Sequence, residues 1–80
     1  PVTVIGRGSE ADIVVNDSGV SRRHLELRIT PTGVIATDLG STNKTKLGSH
    51  VLSPNVPVET SLPVHSLLLG DIPFEIMEDL

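Results

Sequence analysis

Hydrophobic and polar residues alternate along much of the chain, and the alternation is clearest over residues 23–29. The apolar positions there are Leu25, Leu27 and Ile29, and the polar positions are His24, Glu26 and Arg28. Successive side chains of a β-strand point to opposite faces of its sheet. The stretch therefore predicts a strand with its apolar set buried and its polar set in solvent.

Similar short stretches, separated by turn-forming residues, predict the other strands. They cover residues 2–5, 12–15, 34–37, 44–47, 67–69 and 74–77. The last two form a predicted hairpin across Gly70-Asp71, because glycine and aspartate turn readily. Between residues 48 and 65 three prolines limit ladder hydrogen bonds, so residues 56–58 are at most an edge strand.

Short strands at this spacing predict an all-β fold, a β-sandwich whose loops cluster at the ends of two packed sheets. Composition supports this class, since Val, Ile and Thr supply 23 of the 80 residues and Ala only two. The chain has no cysteine, so an apolar core rather than disulfides must hold it together.

The positive charges are confined to the first 50 residues, although the net charge is −4. Residues 51–80 carry five acids and no Lys or Arg, and Phe74 is the only aromatic residue. Nucleic-acid binding uses broad basic surfaces and stacking rings, so a small anionic ligand fits better. No apolar run approaches the roughly 18 to 20 residues of a membrane span, and we expect no membrane contact.

Two enzyme-like patterns fail on their context. Residues 6–11 match the glycine-rich dinucleotide pattern, but a short β-branched run follows where the phosphate-facing helix should begin. Ser21, His24 and Asp38 could form a nucleophile, base and orienter. The segment around Ser21, however, lacks the elbow glycine two residues later. We expect no enzymatic activity, cofactor or metal site.

Three loops each place an anion-binding group at a strand end. Arg7 offers a planar fork of donors that matches phosphate oxygens. Ser21 and Thr42 offer hydroxyl groups, and Asn43 offers an amide that can pair with a peptide backbone. Three such loops in one small domain indicate an anion-binding site better than any one of them does.

These motifs resemble the forkhead-associated (FHA) domain, a phosphothreonine-peptide reader. The resemblance rests on Gly6-Arg7, then Ser21-Arg22-Arg23-His24, then Asp38-Leu39-Gly40-Ser41-Thr42-Asn43. It implies a β-sandwich of two twisted, mainly antiparallel sheets with the binding loops at one end. Residues 1–80 would form a single FHA-like domain, a fragment of a longer protein that lacks the family's first strand.

The resemblance also implies a role for each matching residue. The phosphate would be bound by Arg7, Ser21, Arg22 and Thr42, and the peptide by Asn43 and Lys44. Gly6 and His24 would support the site, Gly6 by letting the backbone turn so that Arg7 reaches inward. Lys44 departs from the family, which usually has glycine there. A left-handed backbone at that position costs a residue with a Cβ about 1 to 2 kcal/mol.

The function implied is a binding module that recognises phosphothreonine in a partner protein and mediates kinase-dependent protein–protein interaction. By resemblance to bacterial members of the family, the partner would be a Ser/Thr kinase or its substrate in the cytoplasm. The alternative is a phosphate-independent interaction domain on the same fold, in which the pocket has degenerated. The oligomeric state is left open by the sequence.

Overall fold

The computed structural model describes residues 1–78, and these residues form nine strands. The strands are β1 (Val2–Gly6), β2 (Ile13–Val14), β3 (Leu25–Thr30), β4 (Gly33–Asp38), β5 (Thr45–Leu47), β6 (His50–Val51), β7 (Val58–Thr60), β8 (Val64–Leu69) and β9 (Ile72–Ile76). Residues 1–78 contain no α-helix, and hence no helix long and apolar enough to cross a membrane. The predicted all-β class is confirmed.

The strands form two sheets, ordered β2-β1-β3-β4-β7 and β6-β5-β8-β9. β1 and β2 pair in parallel, and the other six strand pairs are antiparallel. This confirms the predicted sandwich of two mainly antiparallel sheets.

The core lies between the sheets and is aliphatic. Its buried members are Ile5, Val20, Leu25, Leu27, Val34, Ala36, Leu52, Val64, Leu67 and Leu69. Leu25 and Leu27 belong to one sheet and Leu67 and Leu69 to the other, so the alternating positions of the central strands supply both faces. Burying such side chains is the main stabilising contribution available to a domain without disulfides.

The alternation over residues 23–29 predicted burial correctly for Leu25 and Leu27 but not for two of its other positions. Ile29 is 52% exposed, because it lies at the end of β3 beside an open groove. His24, placed by the alternation on the polar face, is fully buried. It precedes β3, and hydrogen bonds take up both ring nitrogens.

The segment with the prolines holds two strands that the pattern did not place correctly. β6 was not predicted, and the edge strand expected over residues 56–58 lies two residues later as β7, paired with β4. Leu52 follows β6 and is 1% exposed. A single apolar residue that anchors a loop has no periodicity to reveal it.

The register brings several loops to one end of the sandwich, which we call the loop end. Ile5 pairs with Leu25, Leu25 with Asp38, and Thr45 with Leu69. As a result, the loops after β1, before β3, between β4 and β5, and between β8 and β9 meet there. All the predicted site residues lie in or beside these loops.

Candidate binding site at the loop end

Backbone pairing beyond the sheet places Arg7 beside Ser21. The Arg7 N–H donates to the Ser21 carbonyl at 2.9 Å, and the Gly8 N–H donates to the Arg22 carbonyl at 3.1 Å. β1 and the segment leading into β3 therefore stay paired past the point where the regular ladder ends. The position of Arg7 relative to Ser21 is set by main-chain hydrogen bonds.

The Arg7 side chain is anchored at its base and free at its tip. Its Nε–H donates to the Val20 carbonyl at 3.0 Å. Among residues 1–78 its terminal nitrogens have no hydrogen-bond or carboxylate partner, and the residue is exposed. A guanidinium held in this way presents its remaining donors in a fixed plane, which suits a tetrahedral oxyanion.

Gly6 is required by close approach of the neighbouring chain. A Cβ at Gly6 would lie 2.1 Å from the Arg22 carbonyl oxygen, well inside van der Waals contact. The Gly6 φ angle is not in the left-handed region. Gly6 is therefore not required for a turn that frees Arg7, as the sequence led us to expect. It is required because a side chain at position 6 would keep residues 21 and 22 from packing against β1 closely enough for the main-chain hydrogen bonds of Arg7 and Gly8.

His24 joins two of the loops through its buried ring. The Ser21 N–H donates to Nδ1 at 3.0 Å, and Nε2 lies 2.9 Å from the Lys44 carbonyl oxygen. Because Nδ1 accepts, the proton of the neutral ring is on Nε2, which donates to Lys44. The ring therefore fixes the distance between the Ser21 loop and the loop between β4 and β5.

The same two loops are also joined nearer the surface. The Thr42 N–H donates to Ser21 Oγ at 3.0 Å, and Asn43 Nδ2 donates to the Gly19 carbonyl at 2.9 Å. Since Ser21 Oγ accepts from Thr42, its own O–H is available to a ligand. The Oδ1 atom of Asn43 has no partner among residues 1–78.

The buried carboxylate of Asp38 holds the loop between β4 and β5 in place through hydrogen bonds. It accepts from the Gly40 and Ser41 N–H groups at 3.0 Å each, and from the hydroxyls of Ser41 at 2.5 Å and Thr45 at 2.7 Å. Burial alone would raise the pKa of Asp38. The hydrogen bonds from Ser41, Thr45 and Gly40 outweigh burial and hold its pKa below the usual 3.8.

Lys44 lies where three loops meet and has a left-handed backbone, with φ +70°. Its carbonyl accepts hydrogen bonds from His24 Nε2 and from the Gly70 N–H, both at 2.9 Å. A Cβ at Gly70, whose φ is +58°, would lie 2.9 Å from the Gly19 carbonyl oxygen. The turn between β8 and β9 is therefore packed directly against the other loops.

The cations of the loop end lack acidic partners. Within residues 1–78 the ion pairs are Arg28 with Glu26 and the exposed His65 with Glu75. The unpaired, exposed cations near the site are Arg7, Arg22, Arg23 and Lys44. Within the same range, no three His, Asp or Glu side chains are grouped as they would be around a metal ion. The unpaired cations give the loop end a local positive charge that suits an anion.

The structure brings the predicted residues together at the loop end. Hydrogen bonds join Ser21 to Arg7, His24 and Thr42, and join His24 to Lys44. Arg22 pairs with Gly8 through its carbonyl, Asn43 pairs with Gly19, and Gly6 packs beneath Arg22. Arg23 is exposed and has no side-chain hydrogen bond or ion pair among the described residues. Sequence reasoning missed the structural role of Asp38. The signal available was the Asp-Leu-Gly-Ser run, typical of a turn in which aspartate binds nearby N–H groups.

Comparison with known proteins identifies relatives of this architecture. The FHA domain family model matches residues 3–65. FHA domain-containing protein FhaA of Mycobacterium tuberculosis is 43% identical over 56 residues, which are 70% of this chain and 10% of that protein. Two oxoglutarate dehydrogenase inhibitors from Corynebacterium species match over 32% of their own length. The chain thus spans a third or less of the length of these curated relatives.

Solved structures of FHA domains superpose closely. The FhaA FHA domain, in complex with the intracellular domain of Rv3910, has a TM-score of 0.74 at 33% identity and covers 88% of this chain and 72% of that one. A structure from a study of phosphothreonine-dependent FHA domain interactions has a TM-score of 0.71 at 34% identity. The match covers 88% of this chain and 69% of that one.

Proposed function

The chain belongs to the FHA domain family, and from that membership we propose that its loop end binds phosphothreonine in a partner protein. Arg7, Ser21, Arg22 and Thr42 bind the phosphate, and Asn43 and Lys44 lie along the peptide. Gly6 and His24 hold these residues in place. Residues 1–80 act as one binding module without enzymatic activity, cofactor or metal.

The observation that carries the proposal is the fixed, unpaired guanidinium of Arg7 beside the free hydroxyl donor of Ser21. Phosphorylation adds about 1.5 to 2 negative charges and three acceptor oxygens to a threonine. Arg7 can donate through its terminal nitrogens while Val20 holds its Nε. Charge-assisted hydrogen bonds contribute on the order of 1.5 to 3 kcal/mol each, so a few of them can separate the phosphorylated peptide from the bare one.

Asn43 is placed to bind the peptide main chain next to the phosphate. Its Nδ2 is held by the Gly19 carbonyl, which orients the amide and leaves Oδ1 as an acceptor. An N–H group of an extended peptide is the natural donor. Because Thr42 and Asn43 are consecutive, phosphate and backbone recognition are coupled in one rigid segment.

The relatives support both a phosphothreonine ligand and a cytoplasmic location. One superposed structure belongs to a study of phosphothreonine-dependent FHA interactions, and another binds the intracellular domain of a second protein. We place the interaction in the cytoplasm accordingly. The partner is a protein phosphorylated on threonine, either a Ser/Thr kinase or its substrate, because such a kinase must create the ligand.

Calorimetric titration with degenerate phosphothreonine, phosphoserine and unmodified peptide pools tests the proposal. We expect binding to the phosphothreonine pool, no binding to the unmodified pool, and a loss of about a hundredfold or more in affinity for Arg7→Ala. The thermal midpoint of that variant should stay nearly unchanged, since Arg7 is exposed.

Arg28→Ala is the matched control, because Arg28 is an exposed arginine on β3, outside the loops of the site. It should bind as the wild type does. Equal binding of phosphorylated and unmodified pools would instead indicate a phosphate-independent interaction domain, and normal binding by Arg7→Ala would remove Arg7 from the site.

A further inference from the structure

Lys44 has a backbone conformation that disfavours its own side chain. Only Lys44 and Asn55, among the non-glycine residues of the described chain, have positive φ. Asparagine tolerates that region and glycine enters it freely, whereas a long unbranched residue does so at a cost. Strained positions of this kind cluster at functional sites, and Lys44 lies at the centre of the loop end.

The strained backbone of Lys44 is held in one orientation. Its carbonyl faces inward and accepts hydrogen bonds from His24 Nε2 and the Gly70 N–H. The side chain is exposed, and it follows Asn43, whose amide is held by Gly19. The structure thus fixes the point from which the ammonium group extends into solvent, beside the proposed peptide path.

Within residues 1–78 no acid forms an ion pair with this ammonium group. Asp71 follows Gly70, and Asp17 lies near Asn43 through Gly19, but neither pairs with Lys44 within 4 Å. The Asp17 carboxylate accepts from the Gly19 N–H at 2.8 Å. A cation held at a binding surface without a partner attracts negative charge on the ligand.

We infer that Lys44 selects ligands that carry a second negative charge close to the phosphothreonine. The inference rests on the proposed function. The chemistry required is an oxyanion that a flexible ammonium can reach, supplied either by an acidic side chain or by a second phosphate. Lys44 is then a specificity-determining residue, and Arg7 and Ser21 supply the contacts that every phosphothreonine ligand shares.

The test measures the affinity of a set of phosphothreonine peptides by fluorescence anisotropy at low ionic strength, where charge effects are least screened. One peptide has neutral flanks, a series places one glutamate at each flanking position in turn, and another carries a second phosphothreonine. The wild type should bind at least one charged peptide about fivefold more tightly than the neutral one. Lys44→Gln should remove that preference, so that the ratio of its affinities for the charged and the neutral peptide falls to about one.

Two control variants test whether the preference depends on the positive charge at position 44 rather than on the shape of the side chain, or on the net charge of the domain. Lys44→Arg should keep the preference, and so should Arg28→Gln, which removes one positive charge outside the site loops. If only the doubly phosphorylated peptide binds more tightly than the neutral one, the second anion is a phosphate. If a glutamate peptide also binds more tightly, a carboxylate is sufficient.

The inference is overturned if Lys44→Gln keeps the preference, as it would if Arg22 were responsible, or if the wild type binds no charged peptide better than the neutral one. Binding of the neutral phosphothreonine peptide reports on the proposed function separately. If the wild type does not bind even that peptide, the proposed function is wrong and the role of Lys44 is overturned with it.

Discussion

The loop end and the opposite end of the sandwich, which we call the far end, are built from the same strands but held together differently. At the loop end, buried His24 and Asp38 make six side-chain hydrogen bonds to neighbouring loops. At the far end the chain turns tightly between β3 and β4, and an open groove of about 420 Å³ is lined by Ile29, Thr30, Leu62, Ile76 and Met77.

The contrast is clearest in two buried oxygen groups. The Asp38 carboxylate has four donors, whereas Thr30 Oγ1 is buried and has no hydrogen-bond partner among residues 1–78. Buried polar groups stabilise a fold only where they are paired. The loop end thus depends on buried side-chain hydrogen bonds for its shape, whereas the side-chain hydrogen bonds described near the far end, Thr32 to Glu59 and His65 to Glu75, are exposed.

The largest expected effect is that of Asp38→Ala, which removes the shared acceptor of the β4–β5 loop. The N–H groups of Gly40 and Ser41 and the hydroxyls of Ser41 and Thr45 lose their partner inside the protein. We expect the free energy of unfolding to fall by about 4 kcal/mol, measured by urea denaturation. A loss below about 1 kcal/mol would contradict the dependence of the loop end on this carboxylate.

His24→Ala should rank second, with a loss of about 3 kcal/mol. The substitution leaves a cavity and unpairs the Ser21 N–H, although the Lys44 carbonyl keeps its bond from Gly70. Denaturation and peptide titration of the same sample separate the possible roles. A fully stable variant that had lost affinity would show that His24 acts on ligand binding rather than on stability.

Acid should weaken the loop end through Asp38. Its folded pKa lies below 3.8, so the unfolded chain takes up the proton first as the pH falls. The stability that this carboxylate contributes is complete well above pH 3.8 and is lost as the pH falls through the lower folded pKa. The free energy of unfolding between about pH 5 and pH 2 should decline less steeply in Asp38→Asn than in the wild type. An equal decline in the wild type and in Asp38→Asn would show that the Asp38 carboxylate does not contribute to the loss of stability in acid.

The smallest effect should come from Thr30→Val at the far end. The substitution replaces an unpaired buried hydroxyl with a methyl group of similar size. We expect a change between zero and a gain of about 1 kcal/mol in unfolding free energy, with peptide affinity unchanged. A clear loss of stability would mean that the hydroxyl is paired in solution, and the contrast between the two ends would be weaker.

The sequence predicted the parts of this molecule that depend on local pattern. The buried Leu25 and Leu27, the hairpin turn at Gly70 and the all-β class follow from periodicity and turn residues. The chemistry of three loops led to Arg7, Ser21 and Asn43, and the resemblance implied their roles; their joint position at the loop end depends on register, which pairs distant strands.

What the sequence could not predict depends on contacts between distant segments. Ile29 has the same alternation as Leu27, but at the end of β3 the described residues leave about half of its surface uncovered. The need for glycine at position 6 comes from the carbonyl of Arg22, which the chain brings there only when folded. The partners of Asp38 make it a structural residue, a role that sequence reasoning did not assign, since Asp38 entered there only as the orienter of a catalytic triad that fails on its context.

The hydrogen bond from His24 Nε2 to the Lys44 carbonyl joins residues 20 positions apart, and that carbonyl is joined in turn to Gly70. Closing the chain over such separations costs conformational entropy, which the packing of the folded domain must offset. Partly folded chains therefore lack the site, and a phosphothreonine ligand binds the native state alone. Ligand concentration should then raise the melting temperature by mass action, so that the domain is most resistant to unfolding while its partner is phosphorylated.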